Sequence, residues 1–299
     1  MSFVLPKRTH LVQKAIDPSK LSKKAAADLL VDGQPRPELY FYQRKYDGCH
    51  VIIVRTHEGE VLKFSRDGKP VNSLGHLDKS LVNLTAGVYF AEAWFPGAEH
   101  RVINGTFRRS VAQPELELRF FDVVSIEGFQ KGVEHAPYGE RRQVLEGILY
   151  RSCKTEPRII IAHNCYSWEA ADLAAHPTDA YDGAVAWNKL APWEAGSGRS
   201  GAAIKIKNIV DLDLEVLHVY EGEGKHAGRL GAIGVRFAGD TVLRVGTGFS
   251  DLEREAWWRD PYDIVGRIVR VVGMKDSGKG SIREPRFKGI RWDKTEADH

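Results

Sequence analysis

The chain has 299 residues, 42% of them hydrophobic and 28% charged, with 43 Lys and Arg against 40 Asp and Glu for a formal net charge of +3. That composition excludes a disordered chain, and the length suffices for two domains with separate cores. No apolar run approaches the ~20 residues of a membrane-spanning helix, and the opening MSFVLPKRTH lacks the apolar stretch of a secretory signal, so a cytosolic protein is expected. The three cysteines, Cys49, Cys153 and Cys165, form no C-x-x-C pair and are expected to be buried packing residues. His163-Asn164-Cys165 offers too few ligands for a metal site. A charge of +3 does not by itself argue for nucleic-acid binding, which depends on local basic clusters.

In chain order, Ser22 to Leu30 is rich in Lys, Ala and Leu and reads as a helix stopped by Asp32-Gly33. From Leu39 the pattern changes to short strand-like runs, LYFYQRK, CHVIIVR and EVLKFSR. The turns that bound them, Asp47-Gly48, Glu58-Gly59 and Asp67-Gly68, predict successive antiparallel hairpins. Further strands are expected at GVYFAEAWF, ELELRFFDVV, RIIIAHN, GAVAWN and AAIKIK, with a helix from Tyr138 to about Leu149. The texture shifts near Asp211. DLEVLHVYEGEG, LGAIGVRFAG and TVLRVGTG are closely spaced strands, DLEREAWWRD is a short helix, and IVGRIVRVVGMK reads as a final strand. This succession fits a small, partly open barrel of the OB type. The fold expected is α+β, with an antiparallel-sheet domain over residues 1–208 followed by an OB-type β-barrel over 209–299.

Lys45-Tyr46-Asp47-Gly48 falls at the end of a strand, and turn chemistry alone accounts for Asp-Gly. The functional alternative makes Lys45 a nucleophile toward the α-phosphate of a nucleotide. A free lysine, with a pKa of ~10.4, is protonated at neutral pH and needs neighbouring cations to become one. Lys205 and Lys207 lie two apart in a strand, on one face, and can serve. Glu92 and Asp182 stand in otherwise apolar strands, where a charge requires an explanation. Phe120-Phe121 can present a flat surface to a base.

In this order the elements resemble the nucleotidyltransferase superfamily of ATP-dependent DNA ligases, RNA ligases and capping enzymes, most closely the minimal ligases of T7-like bacteriophages. The family's K-x-D-G is Lys45–Gly48, its S-R-x-G is Ser65–Gly68, and its strand glutamate is Glu92 in Phe90-Ala91-Glu92-Ala93. Its aromatic-Asp element is Phe121-Asp122, its K-x-K pair is Lys205 and Lys207, and its R-x-D-K ending is Arg291-Trp292-Asp293-Lys294. The resemblance implies AMP carried on Lys45, catalysis aided by Lys205 and Lys207, and nucleotide contacts from Arg66, Glu92, Phe121, Asp182, Arg291 and Lys294. Glu92 is implied at the ribose, and Asp182 with Glu92 near the metal. It also implies ATP as co-substrate, Mg²⁺, and nicked duplex DNA held by Arg66, Arg283, Arg286 and Lys288. AMP moves from the lysine to the 5′-phosphate of a nick, and the 3′-hydroxyl then displaces it.

Seven Lys or Arg against three acidic residues between Lys275 and Lys294 suit phosphate contacts. A monomer acting in a bacterial or phage-infected cell is expected. Two elements depart from the family pattern. His50 stands where an arginine is usual, and Asp182-Gly183-Ala184-Val185-Ala186-Trp187 has Asp for Glu and Trp for Lys. The missing charge is either absent or supplied by Lys189. Two other readings are open: an RNA ligase or capping-type enzyme, and a non-catalytic OB-containing nucleic-acid binder.

Overall fold

The strand CHVIIVR is apolar on both faces because both faces of its sheet are covered. In the computed structural model, which describes residues 3–166, 181–197, 200–206, 209–237, 241–275 and 282–298, it is an inner strand of a five-stranded sheet. The strands of this first sheet are preceded by β1 (Tyr40–Tyr46), which belongs to a second sheet, and run β2 (Cys49–Arg55), β3 (Val61–Ser65), β4 (Gly87–Trp94), β5 (Glu117–Val124) and β6 (Ile159–Ile161). Their order is β6-β5-β4-β2-β3, antiparallel except for the β6-β5 pair. On one face Val51, Ile53, Tyr89, Ala91 and Phe120 pack with α2 (His100–Phe107) and the long helix α4 (Tyr138–Ser152). On the other, Ile52, Val54, Val88, Phe90 and Val124 pack with Phe129, from α3 (Ile126–Lys131), and with Trp193.

The second sheet has three strands in the order β8-β7-β1, with β7 (Tyr181–Asn188) and β8 (Ala203–Ile206). Its core face carries Tyr40, Tyr42, Ala184, Ala186, Ile204 and Ile206. The helix expected at Ser22–Leu30 is α1 (Lys23–Leu29), which Ser22 caps by accepting from the Ala25 N–H. Asp32 and Gly33, both at positive φ, then turn the chain between Leu30–Val31 and Gln34–Pro35.

One expectation is overturned here. Asp47-Gly48 is not a hairpin turn, since β1 and β2 are unpaired and lie in different sheets. The chain passes from one sheet to the other at this point. Glycine is required there by close approach: a Cβ on Gly48 would collide with the Ala93 carbonyl oxygen and come within 2.8 Å of Glu92 Cγ. Glu58-Gly59 does close a hairpin, between β2 and β3.

The chain divides into two compact units, Met1–Ile206 and Lys207–His299. In the second, β9 (Ile209–Glu221), β10 (Leu230–Phe237), β11 (Thr241–Val245), β12 (Ile268–Lys275) and β13 (Ile282–Ile290) form an antiparallel sheet ordered β11-β10-β9-β12-β13. Leu214, Val216, Ile233, Val235, Val269 and Phe287 fill its core together with Trp257 of α5 (Asp251–Arg259). A capping box starts α5, with Ser250 and Glu253 each satisfying the other's backbone N–H. Strand β13 is an addition to the sequence reading, because Pro285 and the basic residues around it obscure it. It is an edge strand with register shifts opposite β12, the setting in which a sheet tolerates proline.

Candidate active site

Residues 41, 43 and 45 alternate onto the β1 face opposite Tyr40 and Tyr42, turned away from that sheet's core. Register aligns Gln43 with Val185 of β7, and Val185 with Lys205 of β8, so Lys205 shares this face about two strand spacings (~10 Å) from Gln43. A cavity of about 140 Å³ opens on this face, lined by Gln43, Lys45, Val185 and Trp187 from the three-stranded sheet and by His50, Glu92 and Phe121 from the five-stranded one. The cross-over at Asp47-Gly48 is what sets Lys45 against the five-stranded sheet. Lys45, Glu92 and Phe121 therefore meet in one cavity.

Glu92 stands opposite His50 of β2 and Arg119 of β5. Burial pushes its carboxyl up to about 8, and Asp47 adds to the rise, while Lys45, Arg66 and a hydrogen bond from the Gly48 N–H act against it. Arg66, just past the end of β3, is mostly exposed yet acts electrostatically on Glu92 and His50. Burial, reinforced by Arg66, lowers the His50 imidazole to about 3, so it is neutral at physiological pH. Cys49, also beside Glu92, is pushed up to about 12, chiefly by burial, and is an unreactive thiol. Cys153 and Cys165 are buried, as expected, whereas Cys49 is partly exposed.

Two of the three positions that depart from the family pattern, His50 and Trp187, flank Phe121. His50 meets it edge-on with ring centroids 5.3 Å apart, and Trp187 stacks on it at 5.5 Å and 22°. Trp187 in turn stacks on Tyr138 of α4 at 5.1 Å and 14°. The Tyr138 hydroxyl donates to the Phe121 carbonyl at 3.0 Å, and Gln43 Nε2 donates to that hydroxyl at 2.9 Å and to Asn164 Oδ1 at 2.6 Å. An aromatic ladder and a polar network thus hold the wall of the cavity.

Among the buried polar atoms that line it, Gln13 Oε1, His50 Nε2 and Trp187 Nε1 make no hydrogen bond with the described residues. Buried polar groups ordinarily have partners, so these atoms are available to a polar ligand in the cavity. Lys189 does not replace the missing cation: its ammonium donates to the Pro37 and Glu38 carbonyls and lies over Phe41. It lines a separate, larger groove of about 440 Å³ with Phe41, Arg142 and Asn164, which contains none of the motif residues.

Asp122, next to Phe121, points away into a buried ion pair. Arg141 of α4 grips both its oxygens, at 2.9 and 2.8 Å, and the two side chains are 4% and 1% exposed. Sequence reasoning missed Arg141, which stands on a helix with no local motif around it. Asp182 lies in β7, but its side chain is outside the described residues, as are Lys207 and the side chain of Arg283. Among the described residues no three His, Cys, Asp or Glu side chains cluster as a metal site.

In the second unit, Arg286 and Lys288 are exposed at alternate positions of β13, on either side of the buried Phe287. Arg291 and Lys294 both reach Asp213 Oδ2, at 2.6 and 2.5 Å. Arg291 also pairs with Asp293 through Nε and Nη2, at 2.9 and 2.7 Å. These hydrogen bonds raise the pKa of both cations and hold the Asp293 carboxyl down to about 2.

The DNA ligase OB-like domain family matches residues 221–291, most of this second unit. A DNA ligase from Natronomonas pharaonis is 28% identical over 206 residues, covering 61% of this chain and 36% of the relative. A probable DNA ligase from Kineococcus radiotolerans is 33% identical over 205 residues, covering 60% and 39%. The family model and the relatives thus both show similarity to DNA ligases. The chain spans between about a third and half the length of the relatives it matches, reaching 50% for a Haloferax volcanii DNA ligase that aligns over 85% of this chain at 25% identity.

Solved structures share its fold. Pmar-Lig_PreS3 aligns with a TM-score of 0.66 at 22% identity over 93% of this chain and 67% of its own. The ATP-dependent DNA ligase from bacteriophage T7, in complex with ATP, aligns at 0.54 and 13% identity over 94% and 98%. The first unit therefore has the fold of a ligase nucleotidyltransferase domain and the second an OB-like fold, the α+β fold class expected from the sequence. No helix among the described residues is long and apolar enough to cross a membrane.

Proposed function

We propose that the chain is an ATP-dependent DNA ligase that loads AMP on Lys45 and seals nicks carrying a 5′-phosphate and a 3′-hydroxyl. The observation that carries this reading is the meeting of Lys45, Glu92 and Phe121 around one cavity with buried polar atoms that make no hydrogen bond with the described residues. Lys45 attacks the α-phosphate, the Phe121 wall receives the adenine, and Arg66 and Lys205 supply positive charge around the phosphates. The phosphoramidate N–P bond forms as the bond to pyrophosphate breaks. AMP then passes to the 5′-phosphate of the nick, and the 3′-hydroxyl displaces it. In such phosphoryl transfers the protein's contribution is positioning and charge neutralisation.

The residues fit a Mg²⁺ ion. That ion keeps most of its waters and needs one or two carboxylates besides the nucleotide phosphates. Glu92, a carboxyl held beside Lys45 at an unusually high pKa, would be one such ligand and Asp182 the second; a cation there would favour the ionised form. When bound, Mg²⁺ offsets charge on the phosphates. Arg286 and Lys288 supply part of a basic surface for duplex DNA, and the protein acts as a cytoplasmic monomer.

The test combines purified protein, Mg²⁺ and ATP labelled at the α-phosphate, followed by singly nicked duplex DNA. Labelled protein that loses its label as sealed DNA appears is the expected result. Label that never passes to DNA would favour an RNA ligase or capping-type enzyme, and no label with ATP or GTP would leave a binding protein.

A further inference from the structure

The three carboxylates around Arg291 and Lys294 are not equivalent. Asp213 lies in β9 with its side chain 6% exposed, and its Oδ2 accepts from both cations. Its backbone is clasped on both sides by Asp298: the Asp213 N–H donates to Asp298 Oδ2 at 2.7 Å, and the Asp213 carbonyl accepts from the Asp298 N–H at 2.8 Å. The other two carboxylates are at the surface. Asp293 is 67% exposed, and Asp298, which Lys294 reaches at 3.3 Å, is 37% exposed.

Two cations thus meet three carboxylates, one buried and two accessible to solvent. A buried partner cannot leave without stranding charge in the interior, whereas an exposed pair is weak, screened by salt and open to competition. Nε and Nη2 of Arg291 are occupied by Asp293, and Nη1 by Asp213. Two of the three ammonium protons of Lys294 are directed to Asp213 and Asp298.

We propose that Asp213 is a positioning residue that holds Arg291 and Lys294 as a fixed cation pair. Asp298 occupies the place on Lys294 that a polyphosphate oxygen takes when AMP is loaded. This rests on the reading that the chain loads AMP from ATP. It predicts opposite effects for two like substitutions. Neutralising Asp213 frees the pair to wander, while neutralising Asp298 removes a competitor and keeps an amide oxygen for the Asp213 N–H.

The experiment compares the full chain with Asp213→Asn and Asp298→Asn in two assays and by thermal unfolding. One assay follows AMP loading against ATP concentration. The other follows a single turnover of sealing on synthetic nicked DNA already carrying AMP at its 5′-phosphate, which consumes no ATP. Asp213→Asn is expected to slow loading at saturating ATP by ~10-fold or more, with sealing of the activated nick within ~2-fold of the unsubstituted chain. Asp298→Asn is expected to lower the ATP concentration for half-maximal loading by ~2–3-fold.

Equal losses in both assays with a lowered melting temperature would make Asp213 a structural residue only. Faster loading by Asp213→Asn, or a raised half-saturating ATP concentration for Asp298→Asn, would overturn the assignment. If Asp213→Asn does not fold, the sign of the Asp298→Asn effect decides. An unsubstituted chain that never loads AMP would overturn the underlying reading, and this proposal with it.

Discussion

Around Lys45 the first unit buries polar atoms that find no hydrogen bond among the described residues, whereas in the second unit Arg291 and Lys294 are each set against two carboxylates. Gln13 Oε1, His50 Nε2 and Trp187 Nε1 line the cavity unbonded, and Glu92 is held near pH 8 chiefly by its own burial. Arg291 and Lys294 share Asp213 and are further paired with Asp293 and Asp298. The first arrangement is costly without a ligand and gains hydrogen bonds when one binds. The second is stable as it stands and must exchange partners to act. Preorganised polar sites incur such costs in the empty state, because water is no longer there to solvate the groups they aim at the ligand.

The contrast is broken most directly at the nucleophile. Lys45→Ala should lower AMP loading by at least ~1000-fold while duplex DNA binding, measured by anisotropy, stays within ~2-fold, since a covalent step has no substitute for its nucleophile. Retained loading would remove Lys45 from the chemistry.

A second test asks whether the wall of the cavity depends on charges it has fully paired. Asp122→Ala strands Arg141 in the interior and should destabilise the first unit by ~3–5 kcal/mol in denaturant unfolding. A loss below ~1 kcal/mol would show the pair to be dispensable.

A third test sharpens the claim that Glu92 is held at a cost. Its folded value of about 8 lies above the ordinary carboxylate range, so folding favours its protonated form. The stability this contributes is present below about pH 4 and is lost as pH rises through 8. The ligand-free protein should therefore lose melting temperature between pH 5 and 9, and Glu92→Gln should flatten that decline. An unchanged slope in the variant would contradict the assignment.

The smallest effects are expected on the exposed strand. Arg286→Ala and Lys288→Ala should each weaken duplex binding uniformly across sequences, and should each reduce the slope of log affinity against log salt by ~1. A sequence-dependent loss would instead place these side chains against bases.

Legibility in the sequence followed the range of the interactions involved. The OB succession and the helix α1 were readable because turn residues, strand lengths and the Ser22 cap are local signals. Asp47-Gly48 misled because turn chemistry is the same whether the flanking strands pair or part, and the pairing that decides is made with β4 and β7, far along the chain. The motif residues Lys45, Glu92 and Phe121 were each visible, but their meeting depends on that cross-over. His50 and Trp187 read as losses of charge; in the folded chain they bracket Phe121, a role set by packing. Arg141 and Asp213 had no signal at all, being ordinary residues of a helix and a strand whose partners are distant in sequence.

The most direct measurement is intact-mass analysis of the purified chain after incubation with ATP and Mg²⁺, with peptide mapping of any adduct. The account predicts one adenylate per chain, located on Lys45 and discharged when nicked duplex DNA is added. An unmodified chain, or an adenylate on any other residue, would contradict it.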